Sequence, residues 1–181
     1  MKKIVLLIAL ITQCLTAQTI QGTFPQAKNT EIVLKGFEGF DEKELTKTTI
    51  DSLGNFTLAY SKTFKGAALL QIQNASSVIV LLNHENFKMQ WENFQDINTL
   101  KFINSIENDF FAKGIIINQG AEQKLAGLMY LLPLYKNVKT KESWLKNEVG
   151  IQEQTFEVFI KSLPKDSFAK DYLTFRKFLG D

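Results

Sequence analysis

Residues 48–60 read Thr-Thr-Ile-Asp-Ser-Leu-Gly-Asn-Phe-Thr-Leu-Ala-Tyr, and they predict β structure more clearly than any other part of the chain. Phe56, Leu58 and Tyr60 alternate with smaller residues, which is the period of a strand with one buried face. Gly54 can adopt the positive φ that a tight turn requires. The stretch therefore predicts a β-hairpin that turns at Gly54.

The same kind of pattern extends over residues 18–103, where short β-branched and aromatic runs alternate with turn residues. Eight strands are predicted in this region: Thr19–Phe24, Glu31–Phe37, Leu45–Ile50, Asn55–Tyr60, Ala67–Gln73, Ser77–Leu82, Phe87–Glu92 and Leu100–Ile103. Residues 83–86 are expected to close a second hairpin between the sixth and seventh strands. Strands of this length and spacing predict an antiparallel β-sandwich or a small barrel.

From residue 104 onward the apolar period becomes helical. Ser105 is a candidate N-cap, and Gly114 and Gly120 are expected to weaken or end the first helix before a second one runs from Ala121 to about Tyr135. The third helix carries a stripe with spacings of three and four: Leu145, Val149, Gln152, Phe156, Phe159 and Leu163. Asp166 or Ser167 can cap a last helix, whose stripe is Phe168, Tyr172, Phe175 and Leu179. The predicted fold class is α+β, with a β domain at 18–103 and three to four helices at 104–181.

The N-terminus has the layout of a secretory signal peptide. Two lysines precede the unbroken apolar run Ile4–Ile11, which is too short to span a bilayer, and small and polar residues follow it up to Ala17. We therefore predict a signal peptide at 1–17 and a location in the periplasm or cell envelope. Lipid attachment at Cys14 is the alternative, but Gln13 is larger than the residue that normally precedes a lipidated cysteine.

Composition restricts the function further. The chain has 181 residues, 45% of them hydrophobic and 22% charged, which excludes collagen-like and disordered classes. Cleavage after Ala17 would leave 164 residues with 19 basic and 19 acidic side chains, and it would remove the single cysteine. A neutral chain without cysteine has no charge excess for nucleic acid, no disulfide and no thiol nucleophile.

Motifs that carry chemistry are sparse. His84 is the single histidine and lies in a predicted turn, so a metal site would lack a second nitrogen ligand. The predicted loop that holds Glu38, Asp41, Glu42 and Glu44 could supply oxygen ligands to calcium, or it could discourage edge pairing. A glycosidase-like pair could be drawn from Glu92, Asp96, Glu107 and Asp109. Near a helix start, the lysines at 136, 139, 141 and 146 lack interleaved aromatics and are interpreted as a solvated face. We accordingly assign no catalytic, cofactor-binding or metal-binding residue.

Several stretches occur in a familiar order along the chain. They are Thr16-Ala-Gln18, Ile20–Phe24, residues 48–58, Lys65-Gly66, Val78–Leu82, Ser105–Phe111 and Ser167–Leu173. Together they resemble the N-terminal domain of unknown function that precedes a thioredoxin-like module in secreted bacterial thiol–disulfide oxidoreductases. That family includes peroxiredoxin-like and disulfide-reductase-like members.

The resemblance implies a non-catalytic accessory domain that positions substrate or mediates dimerisation. The redox chemistry would require a Trp-Cys-Xaa-Xaa-Cys module beyond Asp181, and no catalytic residue can be carried over because these residues lack that motif. The expected partners are this C-terminal module, a protein substrate or a second copy, without integral membrane insertion. The alternative is a stand-alone envelope module that binds a glycan or a peptide.

Overall fold

The computed structural model describes residues 17–38 and 41–180. Residues 1–16 of the predicted signal peptide, Cys14 included, lie outside the described residues, as do the side chains of Glu38 and Leu179. The α+β class is confirmed, since within these described ranges eight strands are followed by three α-helices. The chain forms two units, one that ends at Asn108 and one that begins at Asp109.

The strands of the first unit form two four-stranded sheets. They are β1 (Ala17–Thr23), β2 (Glu31–Glu38), β3 (Asp41–Thr49), β4 (Asn55–Ser61), β5 (Lys65–Ile72), β6 (Ser77–Asn83), β7 (Phe87–Trp91) and β8 (Leu100–Ile103). Sheet I has the order β4-β1-β7-β8, and sheet II has the order β3-β2-β5-β6. All pairs are antiparallel except β1 with β7, which is parallel. The sheets form a sandwich-like arrangement, not a closed barrel.

The core of this unit consists of the alternating apolar residues of the strands. In β4 the predicted alternation is confirmed, with Phe56, Leu58 and Tyr60 all buried. Phe24 packs against Phe56, with ring centroids 4.8 Å apart, and against Trp91 at 6.1 Å. Each large apolar side chain buried in this way stabilises the fold by about 1.5 to 3 kcal/mol.

Both predicted hairpins are wrong as strand pairs, although the turn at Gly54 is present. Gly54 has φ +93° and donates its N–H to the Asp51 carbonyl at 3.0 Å. However, β3 belongs to sheet II and β4 to sheet I, so the turn carries the chain between sheets. The connection from β6 to β7 also changes sheet, with His84 at φ +62°. Local turn chemistry reverses the chain direction, but the pairing partner depends on strands distant in sequence.

Three helices follow: α1 (Ile106–Leu131), α2 (Lys139–Ser162) and α3 (Phe168–Gly180), with a 3₁₀ turn at Leu132–Tyr135 between the first two. The predicted break at Gly114 and Gly120 is wrong, because α1 is continuous through both. A Cβ at Gly114 would lie 2.6 Å from Leu173 Cδ1, so α3 approaches α1 closely at this point. This packing outweighs the helix-propensity cost of glycine, about 1 kcal/mol.

The stripe of α2 and the caps largely follow the prediction, whereas the stripe predicted for α3 is wrong. Phe175 is 57% exposed, and the buried face of α3 is formed by Ala169 and Leu173. Leu145, Phe156 and Leu163 are buried, and the buried polar member Gln152 donates its amide to Glu148 Oε1 at 2.7 Å. Of the two predicted caps before α3, Ser167 accepts a hydrogen bond from the Lys170 N–H at 3.3 Å. None of the helices in the described ranges is long and apolar enough to cross a membrane.

Candidate functional site

A largely buried polar cluster extends from the outer edge of β6 to Tyr60 of β4, and Glu85 is its half-buried member. We call it the edge cluster, and it consists of Tyr60, Glu85, Ser105 and Asn108. The Asn108 side chain is fully buried, and its Oδ1 accepts the Leu81 N–H at 2.7 Å while its Nδ2 donates to the Leu81 carbonyl at 2.9 Å. Because β6 is the last strand of sheet II, Asn108 completes the hydrogen bonds that a further strand would otherwise make.

Ser105 connects this contact to the start of α1. Its hydroxyl accepts hydrogen bonds from the Asn108 N–H at 3.3 Å and from Asn108 Nδ2 at 2.8 Å, and it donates to Glu85 Oε2 at 2.5 Å. The bond from the third residue of the helix to Ser105 is N-cap geometry, so the predicted cap is confirmed. The same serine thus starts the helix and orients the asparagine that covers β6.

Tyr60 extends the cluster into the core. Its hydroxyl donates to the Glu85 carbonyl at 2.9 Å, and burial together with the nearby Glu85 charge raises the pKa of Tyr60 to about 12. Glu107, also buried, accepts a hydrogen bond from Asn83 Nδ2 at 3.4 Å. The polar side chains of the edge cluster form hydrogen bonds with backbone groups or with one another. They therefore satisfy buried polar groups at the edge of β6.

The candidate carboxylates do not converge. Asp96 Oδ1 accepts the Asn98 N–H at 3.0 Å within its own turn, whereas Glu107 bonds to Asn83, and Glu92 is exposed directly after β7. Asp109 begins the second unit. His84 is an exposed turn residue. Within residues 17–38 and 41–180, no group of three or more His, Cys, Asp or Glu side chains could hold a metal ion.

The predicted acidic loop is in fact strand. Asp41, Glu42 and Glu44 lie on β3, the outermost strand of sheet II, and the prediction of a loop at this place is wrong. Glu42 pairs with Lys35 of β2 at 2.9 Å. Cross-strand ion pairing of this kind supports an extended backbone despite the low β-propensity of acidic residues. The charges also discourage other chains from pairing with this edge.

A polar face lies on the outside of sheet I. It is a shallow hollow of about 270 Å³ on β4, β1 and β7. Its exposed and half-exposed side chains form two rows across these strands, Thr57–Gln21–Lys88 and Asn55–Thr23–Gln90. Amide and hydroxyl groups in such rows can donate and accept hydrogen bonds with a polar ligand.

The helical unit has an exposed apolar surface around the connection between α1 and α2. Six large apolar side chains in this region are 36% to 72% exposed: Met129, Tyr130, Leu131, Leu134, Val138 and Trp144. Four exposed lysines follow one another in the same stretch: Lys136, Lys139, Lys141 and Lys146. We call residues 129–146 the hairpin surface.

Sequence reasoning did not identify the hairpin surface. It interpreted the lysines as a face without aromatics, yet Lys141 Nζ lies 4.6 Å from the centroid of the Tyr135 ring, and Trp144 is exposed three residues after Lys141. The available signal was the position of Trp144 directly before Leu145. A bulky aromatic outside the apolar stripe of a helix is directed away from the face that the stripe buries.

The chain matches no known protein family and no curated protein. Part of it is similar to a 9R-lipoxygenase from Cyanothece PCC8801, at 16% identity and a TM-score of 0.29. The similarity covers 38% of this chain and 14% of the lipoxygenase chain. A similarity this low does not define a shared fold, and no property of the lipoxygenase is transferred.

Proposed function

We propose that this chain is a non-catalytic accessory module of a secreted or periplasmic thioredoxin-like thiol–disulfide oxidoreductase, and that its helical unit docks onto a partner other than the redox module and so positions that module. One observation carries the docking role, namely the six exposed apolar side chains of the hairpin surface. Large apolar residues that are exposed together mark interaction sites, because leaving them in water costs free energy that a partner recovers.

The edge cluster supports the non-catalytic part of the proposal. Its serine, asparagine and glutamate resemble catalytic groups by residue type, but their hydrogen bonds are directed to Leu81, to each other and to the start of α1. An active-site nucleophile needs a hydroxyl that faces substrate and a base that accepts its proton. Here the Ser105 hydroxyl is buried. The cluster is therefore better suited to support the scaffold than to perform chemistry.

The redox context can be tested on the native protein. An antibody raised against residues 18–181 is used to precipitate it from the envelope fraction after labelling with a thiol-specific reagent, with pre-immune serum as the control. A thiol-labelled band far above 20.6 kDa is expected. A band slightly below 20.6 kDa that carries no label would refute the accessory role.

The polar face of sheet I favours a second candidate function, the binding of an envelope glycan. Its rows of amides and hydroxyls are chemically suited to sugar hydroxyls. Gln21→Ala and Gln90→Ala should each weaken binding in a glycan-array screen, whereas Gln71→Ala, an exposed residue of sheet II, should not. Equal binding by all three variants would exclude this face.

A further inference from the structure

We propose that the hairpin surface docks onto the anionic headgroup region of a phospholipid membrane. The inference names the partner of the surface assigned above and so rests on the proposed function. It concerns peripheral binding, in which side chains enter the interface while the helices stay outside the hydrocarbon core.

Charge is the first argument. Residues 129–146 contain four lysines and a single acidic residue, Glu142, which gives a net charge of +3 in a chain that is nearly neutral overall. Glu142 is paired with Lys146 at 2.7 Å. Lys136, Lys139 and Lys141 are exposed and carry the excess positive charge. A leaflet rich in anionic lipid attracts such a cluster without requiring a specific pocket.

The chemistry of the apolar side chains is the second argument. Tyr130 and Trp144 are 72% and 61% exposed, and both combine a large apolar ring with a polar group. Side chains of this type concentrate at the boundary between headgroups and acyl chains. Leu134 is four residues after Tyr130, where α1 continues into the 3₁₀ turn, and it is 64% exposed.

Lysine and aromatic side chains adjoin one another on the hairpin surface. Lys141 contacts the ring of Tyr135 and is three residues before Trp144 on α2, so these two α2 side chains are neighbours on the helix. Interleaved lysines and aromatics characterise an interfacial segment, whereas a protein-binding patch is depleted of lysine at its centre.

A second copy of the chain fits the surface less well. A two-fold symmetric dimer places the same patch on both sides of the interface, which would bring two groups of net charge +3 together. Like charges at an interface disfavour association. Anionic lipid, in contrast, neutralises the lysines and accommodates the apolar side chains.

Intrinsic fluorescence offers a direct test, because the chain has two tryptophans and Trp91 is only 2% exposed. The 181-residue chain is expressed for export and purified, and its mass is measured to verify that residues 1–17 are absent. It is then titrated with vesicles of phosphatidylglycerol and phosphatidylcholine in equal parts, or of phosphatidylcholine alone. A blue shift of Trp144 emission is expected with the anionic vesicles only, and Trp144→Phe should abolish it.

The lysines are tested by a matched pair of variants. K139Q/K141Q should weaken vesicle binding about 25-fold, at about fivefold per lysine. K113Q/K124Q, which removes two exposed lysines of α1 outside the surface, should weaken it less than about threefold. Raising the salt from about 0.1 M to about 1 M should release the chain, because the screening length falls to about 3 Å. Urea midpoints of all variants control for folding.

Three results would overturn the inference. They are an absent blue shift with anionic vesicles, equal binding to neutral vesicles, or equal losses in the two double variants. A concentration-dependent shift of Trp144 without vesicles, together with a dimeric mass, would assign the surface to a second copy. These measurements need no redox partner. If the chain does not bind vesicles but the precipitated protein is a thiol-labelled band far above 20.6 kDa, the accessory role stands and the membrane inference fails. If the chain binds anionic vesicles but the precipitated band is small and unlabelled, only the accessory role is refuted.

Discussion

Replacing Asn108 by alanine removes the side chain that completes the outer edge of β6. In the native structure this amide accepts the Leu81 N–H at 2.7 Å and donates to the Leu81 carbonyl at 2.9 Å. Neither Asn108 nor Leu81 is exposed to solvent. The variant therefore leaves two backbone groups without their partner at a buried position.

The expected loss follows from those two groups. An unsatisfied buried donor or acceptor costs about 1 to 3 kcal/mol, so N108A should lower the free energy of unfolding by about 2 to 6 kcal/mol. The hydrogen bond from Asn108 Nδ2 to Ser105 is lost as well. Because a typical domain is stable by about 5 to 15 kcal/mol, the change should be easy to measure.

Urea unfolding followed by Trp91 fluorescence is the appropriate assay, since Trp91 is buried in the same unit as Asn108. The measurement is made in a Trp144→Phe background so that a single tryptophan reports. Asn137→Ala, at an exposed position between α1 and α2, is the matched control and should change stability by less than about 0.5 kcal/mol.

A loss below about 1 kcal/mol for N108A would refute the reasoning, because it would mean that water or another side chain satisfies Leu81. Asn108→Asp provides a second check. The charged carboxylate keeps the acceptor for the Leu81 N–H but cannot donate to the Leu81 carbonyl. Only the protonated form restores the donor, so this variant should be less destabilised in acid than at neutral pH.

Three further predictions concern helix packing and pH. Gly114→Ala should destabilise by about 1 to 3 kcal/mol because its Cβ would lie 2.6 Å from Leu173 Cδ1, whereas Gly120→Ala, with nothing within 4 Å, should stabilise by about 0.5 to 1 kcal/mol. Urea unfolding of the two variants measures both changes. Equal effects would contradict the close packing of Leu173 against Gly114. Burial and a neighbouring carboxylate raise the pKa of Tyr60 from 10.0 to about 12, so the native state retains the proton and stability should fall as pH rises through that range. Tyr60→Phe should remove this decline in stability, which urea midpoints measured across the same pH range would show. If the decline is unchanged in Tyr60→Phe, other titrating groups cause it. Asp51 accepts hydrogen bonds within its turn, foremost from the backbone N–H of residue 55, and these bonds lower its pKa from 3.8. The stability that the Asp51 carboxylate contributes is therefore present above pH 3.8 and is lost as the pH falls through the lowered pKa. The free energies of unfolding of Asp51→Asn and of the parent protein should therefore converge as the pH is lowered. A difference in free energy that does not change with pH would exclude this linkage.

Features that depend on neighbouring residues were predictable from the sequence. The turn at Gly54 needs one residue with positive φ, and the caps at Ser105 and Ser167 need a hydroxyl three residues before an N–H. The alternation of β4 and the stripe of α2 reflect a single buried face on each element. The signal peptide, the domain boundary at residue 103 and the redox context stay predictions.

The candidate sites were less predictable than the elements. The edge cluster joins Leu81 to Asn108, which lie 27 residues apart, through an amide that carries no motif. The hairpin surface is defined by the side chains that stay exposed, and apolar residue type alone does not reveal exposure. Both depend on which faces the packed elements leave open.

The sequence by itself determined much of the local structure of this protein: most of its strands, the turn at Gly54, the helical period after residue 104, and the caps. Only the tertiary structure decided that β3 and β4 lie in different sheets, that β1 pairs in parallel with β7, and that α1 continues through Gly114. The physical reason is the range of the interactions. Turns and caps bond within a few residues, whereas strand pairing and close helix packing depend on surfaces that distant segments present.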